Sequence, residues 1–240
     1  MAEEPRVYVF TSVQGEGLHL GEPSLFVRFT GCNLKCEHCD TKYAWLRRGD
    51  AFPGAVEFEE ALAAVRTSEL GALVITGGEP LLWQEHVYRL ASAARLRSMR
   101  VTVETNGTYP PSIDLQQLEV TWSVSPKLPW FLGKGYAAEF ALRAFPVGYL
   151  KVVVRPYKKD VVGAIAFADA ARPSEISRTL ILQPANPLAH KAVPEREWGN
   201  VMRSYWLRYA KIVEIASRCA SEFMGVLYVR PQIHVLAGLR

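Results

Sequence analysis

The sequence predicts an α/β fold, a partial (β/α) barrel of about six parallel strands, and three observations lead to it. Short runs rich in Val, Ile, Leu and Phe recur along the chain. Helical patterns long enough to cross from one parallel strand to the next lie between several of them, and residues suited to chemistry cluster directly after the runs, where α/β sheets gather ligands. With 240 residues, 49% of them hydrophobic, the chain fits one compact domain over residues 1–240, because no shift of composition marks a second.

Taken in order, the first long run is Ser24–Thr30, closed by Gly31-Cys32. It lacks strict polar alternation, as expected of a strand buried on both faces. A helical pattern over Glu57–Leu70 leads to the strand Ala72–Thr76, which ends in Gly77-Gly78-Glu79-Pro80. The helix Leu82–Leu96 leads to the strand Arg100–Glu104 and then Thr105-Asn106-Gly107; the strand Thr121–Ser125 leads to Pro126-Lys127. Further strands are expected at Tyr149–Val154, Thr179–Gln183 and Val226–Val229, with helices Asp160–Ala171 and Glu195–Ser217 between them. Gly and Pro mark Lys127–Gly135 and Pro184–Pro194 as flexible loops. One rim therefore collects the chemistry-bearing residues.

The opening MAEEPRVYVF has no basic stretch ahead of an apolar run, and nowhere do about 18 apolar residues stand together. The expectation is a soluble cytoplasmic protein without membrane contact. A net charge of +4 is spread thinly, with Arg47-Arg48 and Lys158-Lys159 the only tight basic pairs singled out. Without a basic stripe interleaved with aromatics, nucleic acid is not the expected partner, and small anionic ligands suit the charge better.

Three of the four cysteines, Cys32, Cys36 and Cys39, fall within eight residues, in the spacing C-x3-C-x2-C on a loop leaving a strand. Three thiolates so close wrap one corner of a metal cluster. A [4Fe–4S] cubane takes four protein ligands when closed, so three leave one iron open as a reaction site. Zinc is the structural alternative, since His38 lies among the cysteines, but structural zinc motifs pair C-x2-C with a distant second pair that this chain lacks. Cys219, in an amphipathic helical pattern, reads as a buried small hydrophobe.

The cysteine spacing after one strand, followed by Gly77-Gly78-Glu79-Pro80 after the next, resembles the radical S-adenosylmethionine (SAM) superfamily and implies its modified barrel core. The resemblance gives the open iron to the amino and carboxylate groups of SAM, whose cleavage yields a 5′-deoxyadenosyl radical. It implies that Gly77, Gly78 and Glu79 meet the ammonium of SAM; the alternative at these positions is an ordinary strand-to-helix turn with Pro80 opening the helix.

A narrower resemblance rests on Gln14-Gly15-Glu16-Gly17, Phe26-Val27-Arg28, Cys39-Asp40-Thr41, Glu104-Thr105-Asn106-Gly107, Ser125-Pro126-Lys127 and Pro231-Gln232-Ile233-His234. Together these are similar to the 7-carboxy-7-deazaguanine synthase family, which converts 6-carboxy-5,6,7,8-tetrahydropterin to 7-carboxy-7-deazaguanine with loss of ammonia. For such a substrate, the planar fork of Arg28 suits the carboxylate, and Val13, Gln14, Gly15 and Glu16 suit the amino-pyrimidinone edge. The alternatives are a barrel-filling ion pair for Arg28 and a glycine turn for the other four. The resemblance adds Thr76 and His234 to the substrate contacts. It assigns His38, Cys39, Asp40, Ser125, Pro126, Lys127, Gln183 and Asn186 to SAM. Thr41 matches a position that binds Mg2+, with a capping hydroxyl as the alternative. The carboxylate of Arg240, six residues after His234, is a further candidate substrate contact, fraying into solvent being its alternative. One departure from the superfamily pattern is His38, which stands where an aromatic residue commonly packs on adenine.

The resemblance also implies a course of reaction. The deoxyadenosyl radical takes hydrogen from C6 of the tetrahydropterin, the ring contracts, and hydrogen returns so that SAM is regenerated. It further implies a homodimer and an electron donor such as flavodoxin or ferredoxin. Two alternatives share parts of these motifs: a radical activase acting on a glycine of a partner protein, and a non-catalytic metal-binding or electron-transfer module.

Overall fold

The computed structural model describes residues 4–45, 54–133, 139–171, 175–186 and 197–233. Nine strands make one sheet in the order β3-β1-β2-β4-β5-β6-β7-β8-β9: β1 (Arg6–Val13), β2 (Pro23–Phe29), β3 (Val56–Glu57), β4 (Ala72–Gly77), β5 (Arg100–Thr105), β6 (Thr121–Val124), β7 (Gly148–Val154), β8 (Thr179–Pro184) and β9 (Val226–Val229). From β2 through β9 every neighbouring pair is parallel. This is the expected parallel barrel-like core, with each predicted strand found within a residue or so of its expected bounds.

The sequence reading omitted the antiparallel edge. Strand β1 runs against β2 with Val7 opposite Phe29 and Tyr8 opposite Arg28, and β3 adds a two-residue ladder beyond it. Its burial is only partial, so it lacks the continuous apolar run that betrays a parallel strand. The β1–β2 turn is pinned where Gln14 N–H donates to Glu22 C=O and Gly21 N–H to Gln14 C=O, both at 2.7 Å. That turn folds Gln14 to Glu16 back over the rim.

Helices α1 (Phe58–Thr67), α2 (Gln84–Arg95) and α5 (Lys158–Ala170) cover the sheet by one shared rule. Their buried apolar residues, Phe58/Ala61/Leu62/Val65, Val87/Leu90/Ala91/Ala94 and Val161/Ala164/Ile165/Ala168, recur at i, i+3, i+4 and i+7. This spacing lays one apolar stripe on the strands. A capping box between Glu57 and Glu60 starts α1, and the Ser112 hydroxyl caps the short α3 (Ile113–Gln117). Together with the inward residues of the strands, the stripes form one core that includes Phe29, Ile75 and Trp122, all fully buried.

Two expectations need correction. The segment Lys127–Gly135 contains a one-turn helix, α4 (Pro129–Leu132), opened by Pro129 at its first position and packed inward through Phe131 and Leu132. Cys219 is indeed buried, but as the last residue of α6 (Trp198–Cys219), beside Ile215 and Ala216. Arg47, Arg48 and residues 187–194 of the second expected loop lie outside the described residues. No helix among the described residues is long and apolar enough to cross a membrane.

Candidate active site

A cavity of about 470 Å³ opens at the carboxyl ends of the parallel strands. Cys32, Cys36 and Cys39 line one wall, and all three thiols are free. The loop that carries them is held by backbone rather than by chance packing. Glu37 N–H donates to Leu132 C=O (3.2 Å) and His38 N–H to Phe131 C=O (3.4 Å), so α4 props the loop from below. Cys36, Phe131 and Leu132 form a small apolar cluster with Leu34, Trp130 and Val153 against it. Burial pushes the Cys32 thiol up to about 11, with Leu34 N–H partly opposing, and raises Cys36 as well. Such thiols stay protonated until a metal replaces the proton.

The donor set fits an iron–sulfur cluster. Three free thiols line one cavity, and soft thiolates close in sequence are the ligands an iron–sulfur cluster takes.

Gly77 and Gly78 line the cavity next to the cysteines. A Cβ on Gly78 would stand 2.2 Å from Gly31 C=O and 2.9 Å from Ala44 C=O, so only glycine lets the two loops close together. Glu79 lies deeper than its two glycine neighbours. Its side chain is fully buried, does not line the cavity, and accepts from Leu81 N–H (3.0 Å), the Thr105 hydroxyl (2.7 Å) and Asn106 N–H (2.7 Å). Burial raises its pKa, and the bonds from Asn106, Thr105 and Leu81 work against that rise. Pro126 likewise stands back from the cavity, while Ser125 and Lys127 reach it, with Lys127 Nζ donating to Ser125 Oγ at 2.8 Å.

His38, Asp40 and Thr41 follow the cysteine wall to the rim, where Thr41 Oγ1 lies 3.4 Å from Asp40 Oδ1 and 3.6 Å from Cys39 Sγ. The His38 ring packs on Trp130 with centroids 5.5 Å apart, and the Arg155 guanidinium covers Trp130 at 4.5 Å while Asp160 holds it by two hydrogen bonds. Gln183 and Asn186 line the cavity from β8 and its exit.

Besides Glu16, the cavity carries charge that the sequence reading did not assign, on Lys151 and Glu104. Lys151, on β7 and 5% exposed, is paired with Glu16 and lies 3.6 Å from Glu104. Glu104 also accepts from Thr76 Oγ1 (2.9 Å) and Gln14 Nε2 (3.3 Å), and Glu16 from Gln232 Nε2 (2.5 Å). Desolvation opposes the charge on Lys151, yet Glu104 and Glu16 together hold its pKa above the ordinary lysine value. The signal was legible: a lysine inside the apolar strand GYLKVVV is rarely buried unless paired. Glu104 and Gln232 stood in quoted motifs without a role, and Trp130 and Arg155 carried no signal beyond their own chemistry.

Three buried polar atoms at this site have no partner among the described residues: Arg28 Nε, Gln183 Oε1 and Gln232 Oε1. Arg28 lies over the rings of Phe10 and Tyr43 at 5.7 and 5.9 Å and faces the cavity, as do Val13 and Gly15. Buried polar groups are normally paired, and Arg28, Gln183 and Gln232 all line the cavity. His234 and Arg240 lie outside the described residues.

Comparison with known proteins identifies the family. The radical SAM superfamily model matches residues 26–119. The 7-carboxy-7-deazaguanine synthase of Pyrobaculum aerophilum is 42% identical, covering 99% of this chain and 97% of its own. That of Methanothermobacter thermautotrophicus is 30% identical over 98% of each chain. The fold is shared with the crystal structure of QueE from Escherichia coli, with a TM-score of 0.62 and 22% identity over 95% of this chain and 93% of that one. Full-length similarity favours this family over the activase and metal-module alternatives. The three-cysteine loop, the glycine turn beside it and relatives matching from end to end place the chain in the 7-carboxy-7-deazaguanine synthase family of the radical SAM superfamily.

Proposed function

We propose that this chain converts 6-carboxy-5,6,7,8-tetrahydropterin to 7-carboxy-7-deazaguanine with loss of ammonia, as a carbon–nitrogen lyase of 7-deazapurine biosynthesis. The observation that carries the reading is a single cavity lined both by three free thiols and by Arg28, whose buried Nε has no partner among the described residues, together with the Lys151 carboxylate pair.

When bound through Cys32, Cys36 and Cys39, a reduced [4Fe–4S] cluster with SAM supplies a 5′-deoxyadenosyl radical. The chain's own residues do the rest by binding and orientation. Arg28 offers a cationic fork to the substrate carboxylate, its guanidinium lying over the Phe10 and Tyr43 rings. Gln14, Glu16, Glu104 and the free Gln232 carbonyl supply acceptors for the N–H donors of the pterin edge, and Lys151 keeps the two carboxylates from repelling one another. Val13, Gly15 and Thr76 line the same cavity. Ile233 N–H donates to Gly15 C=O at 3.0 Å, and the family resemblance adds His234 as a further contact. Gly77, Gly78, His38, Asp40, Ser125, Lys127, Gln183 and Asn186 surround the cosubstrate, with Pro126 setting the Ser125–Lys127 turn. The apolar floor of Leu34, Phe131 and Leu132 keeps water from the cysteine wall.

Thr41 and Asp40 provide oxygen at the rim for Mg2+, which keeps much of its water when bound. The family resemblance supports a homodimer, supply of electrons by flavodoxin or ferredoxin, and work in the cytoplasm. The test is anaerobic reconstitution followed by incubation with SAM and the carboxy-tetrahydropterin. Product with the deazaguanine chromophore, lost together with iron in C32A, C36A and C39A, is the expected result; iron-loaded wild-type protein that forms no such product refutes the reading.

A further inference from the structure

We propose that Glu79 is a positioning residue for the cysteine loop, acting through Asn106 and Asn33, and does not contact the cosubstrate. The proposal rests on Cys32, Cys36 and Cys39 as cluster ligands.

A carboxylate that meets an ammonium in the cavity needs an oxygen facing it. Glu79 has none: its side chain is fully buried and absent from the cavity wall. Its oxygens already accept three donors. One comes from its own helical turn, Leu81 N–H, and two from the end of β5, the Thr105 hydroxyl and Asn106 N–H. An acceptor-only group surrounded by three donors is a structural joint between the ends of β4 and β5.

The joint continues to the cysteines. Asn106, its backbone fixed by Glu79, donates from Nδ2 to Asn33 Oδ1 at 3.0 Å, and Asn33 lies directly after Cys32. Thr108 closes the ring: its N–H and hydroxyl donate to Asn106 Oδ1 at 2.9 and 2.7 Å, and its hydroxyl accepts from Asn33 Nδ2 at 2.8 Å. From the other side the Glu79 backbone N–H donates to Gly31 C=O at 2.9 Å, just before Cys32. Residues on both sides of Cys32 are thus tied to one buried glutamate, by its backbone on one side and through its carboxylate on the other. Outer partners of this kind orient metal ligands and set how tightly the metal is held.

The test uses the reconstituted holoenzyme with E79Q, N33A and the double variant. In E79Q an amide N–H2 faces a donor, so the joint loses a bond; N33A cuts the last link and leaves Glu79 untouched. Two readings are taken without cosubstrate: the EPR g values of the reduced cluster, and the rate at which a chelator removes iron. Both single variants are expected to shift the g values away from wild type and to speed iron loss on the order of tenfold. The double variant is expected to be no worse than the more affected single one, because both break one path. If E79Q leaves the cosubstrate-free spectrum and iron retention at wild-type values but weakens SAM binding about tenfold, Glu79 is a cosubstrate contact and the proposal is overturned. If E79Q fails to fold by circular dichroism, N33A decides alone: a wild-type spectrum and iron retention overturn the proposal. Failure of the underlying cluster reading is distinct, since wild-type protein itself then retains no iron.

Discussion

The Lys151 ammonium, in the middle of β7, donates to the Glu16 carboxylate, which the β1–β2 turn carries over the rim of the sheet. Glu104 on β5 stands on the other side of the same ammonium, so one cation neutralises half of a carboxylate pair in a nearly closed wall. Removing the cation leaves both acids without it. Lys151→Met is expected to cost about 3–5 kcal/mol of stability, as breaking a buried pair does. Adding Glu16→Gln to it is expected to recover part of that loss, because one uncompensated charge disappears. Chemical denaturation of the two variants and wild type checks both statements.

The pH dependence of the same group follows with a definite sign. The folded pKa of Lys151 is raised above the unfolded lysine value of about 10.4. Its stabilising effect is therefore fully present below about pH 10.4 and is lost as pH climbs toward the folded value. Melting curves of wild type and Lys151→Met are expected to stay a constant interval apart from pH 7 to about pH 10 and to converge only above that. An interval that closes near pH 8 contradicts the raised pKa.

Gly78 supplies a steric prediction. A methyl group there meets the carbonyl oxygens of Gly31 and Ala44, both backbone and neither able to turn aside as a side chain does. Gly78→Ala is expected to cost about 1–3 kcal/mol by overpacking. The cysteine loop is expected to shift with it, since Gly31 immediately precedes Cys32. Melting temperature and iron content after reconstitution are both expected to fall; Gly163→Ala, inside α5 with open space at its Cβ, is the control, expected to keep the iron content and not to lower the melting temperature.

The sequence made the parallel sheet legible because strands buried on both faces leave continuous apolar runs, such as Ala72–Thr76, between helices of regular stripe. It made the cysteine wall legible because metal ligands cluster in sequence. Strand β1 escaped because its pairing is antiparallel and its burial partial. The Lys151–Glu16–Glu104 group escaped because three strands or turns far apart in sequence must first be placed side by side. The burial of Glu79 was illegible for a related reason: a motif names the residue but not the face it presents, and its bonds to Thr105 and Asn106 join strand ends far apart in sequence.

Arg28 gives the sharpest prediction on substrate recognition. Its guanidinium sits above Phe10 and Tyr43 with Nε buried and unbonded among the described residues, a geometry that awaits an acceptor. A charge-assisted hydrogen bond contributes about 1.5–3 kcal/mol, and each 1.4 kcal/mol is tenfold in affinity. Arg28→Gln is therefore expected to raise the KM for the carboxylated pterin about 10- to 100-fold, with a smaller change in kcat. Arg28→Lys keeps the charge but not the planar fork, and is expected to recover only part of the loss. Iron content is expected to match wild type in both. The decisive comparison is a tetrahydropterin lacking the 6-carboxylate, used as a competitor: wild type is expected to bind it far more weakly than substrate, and Arg28→Gln to bind the two nearly alike. If Arg28→Gln still prefers the carboxylated ligand as strongly as wild type does, the carboxylate is held by another group on this wall.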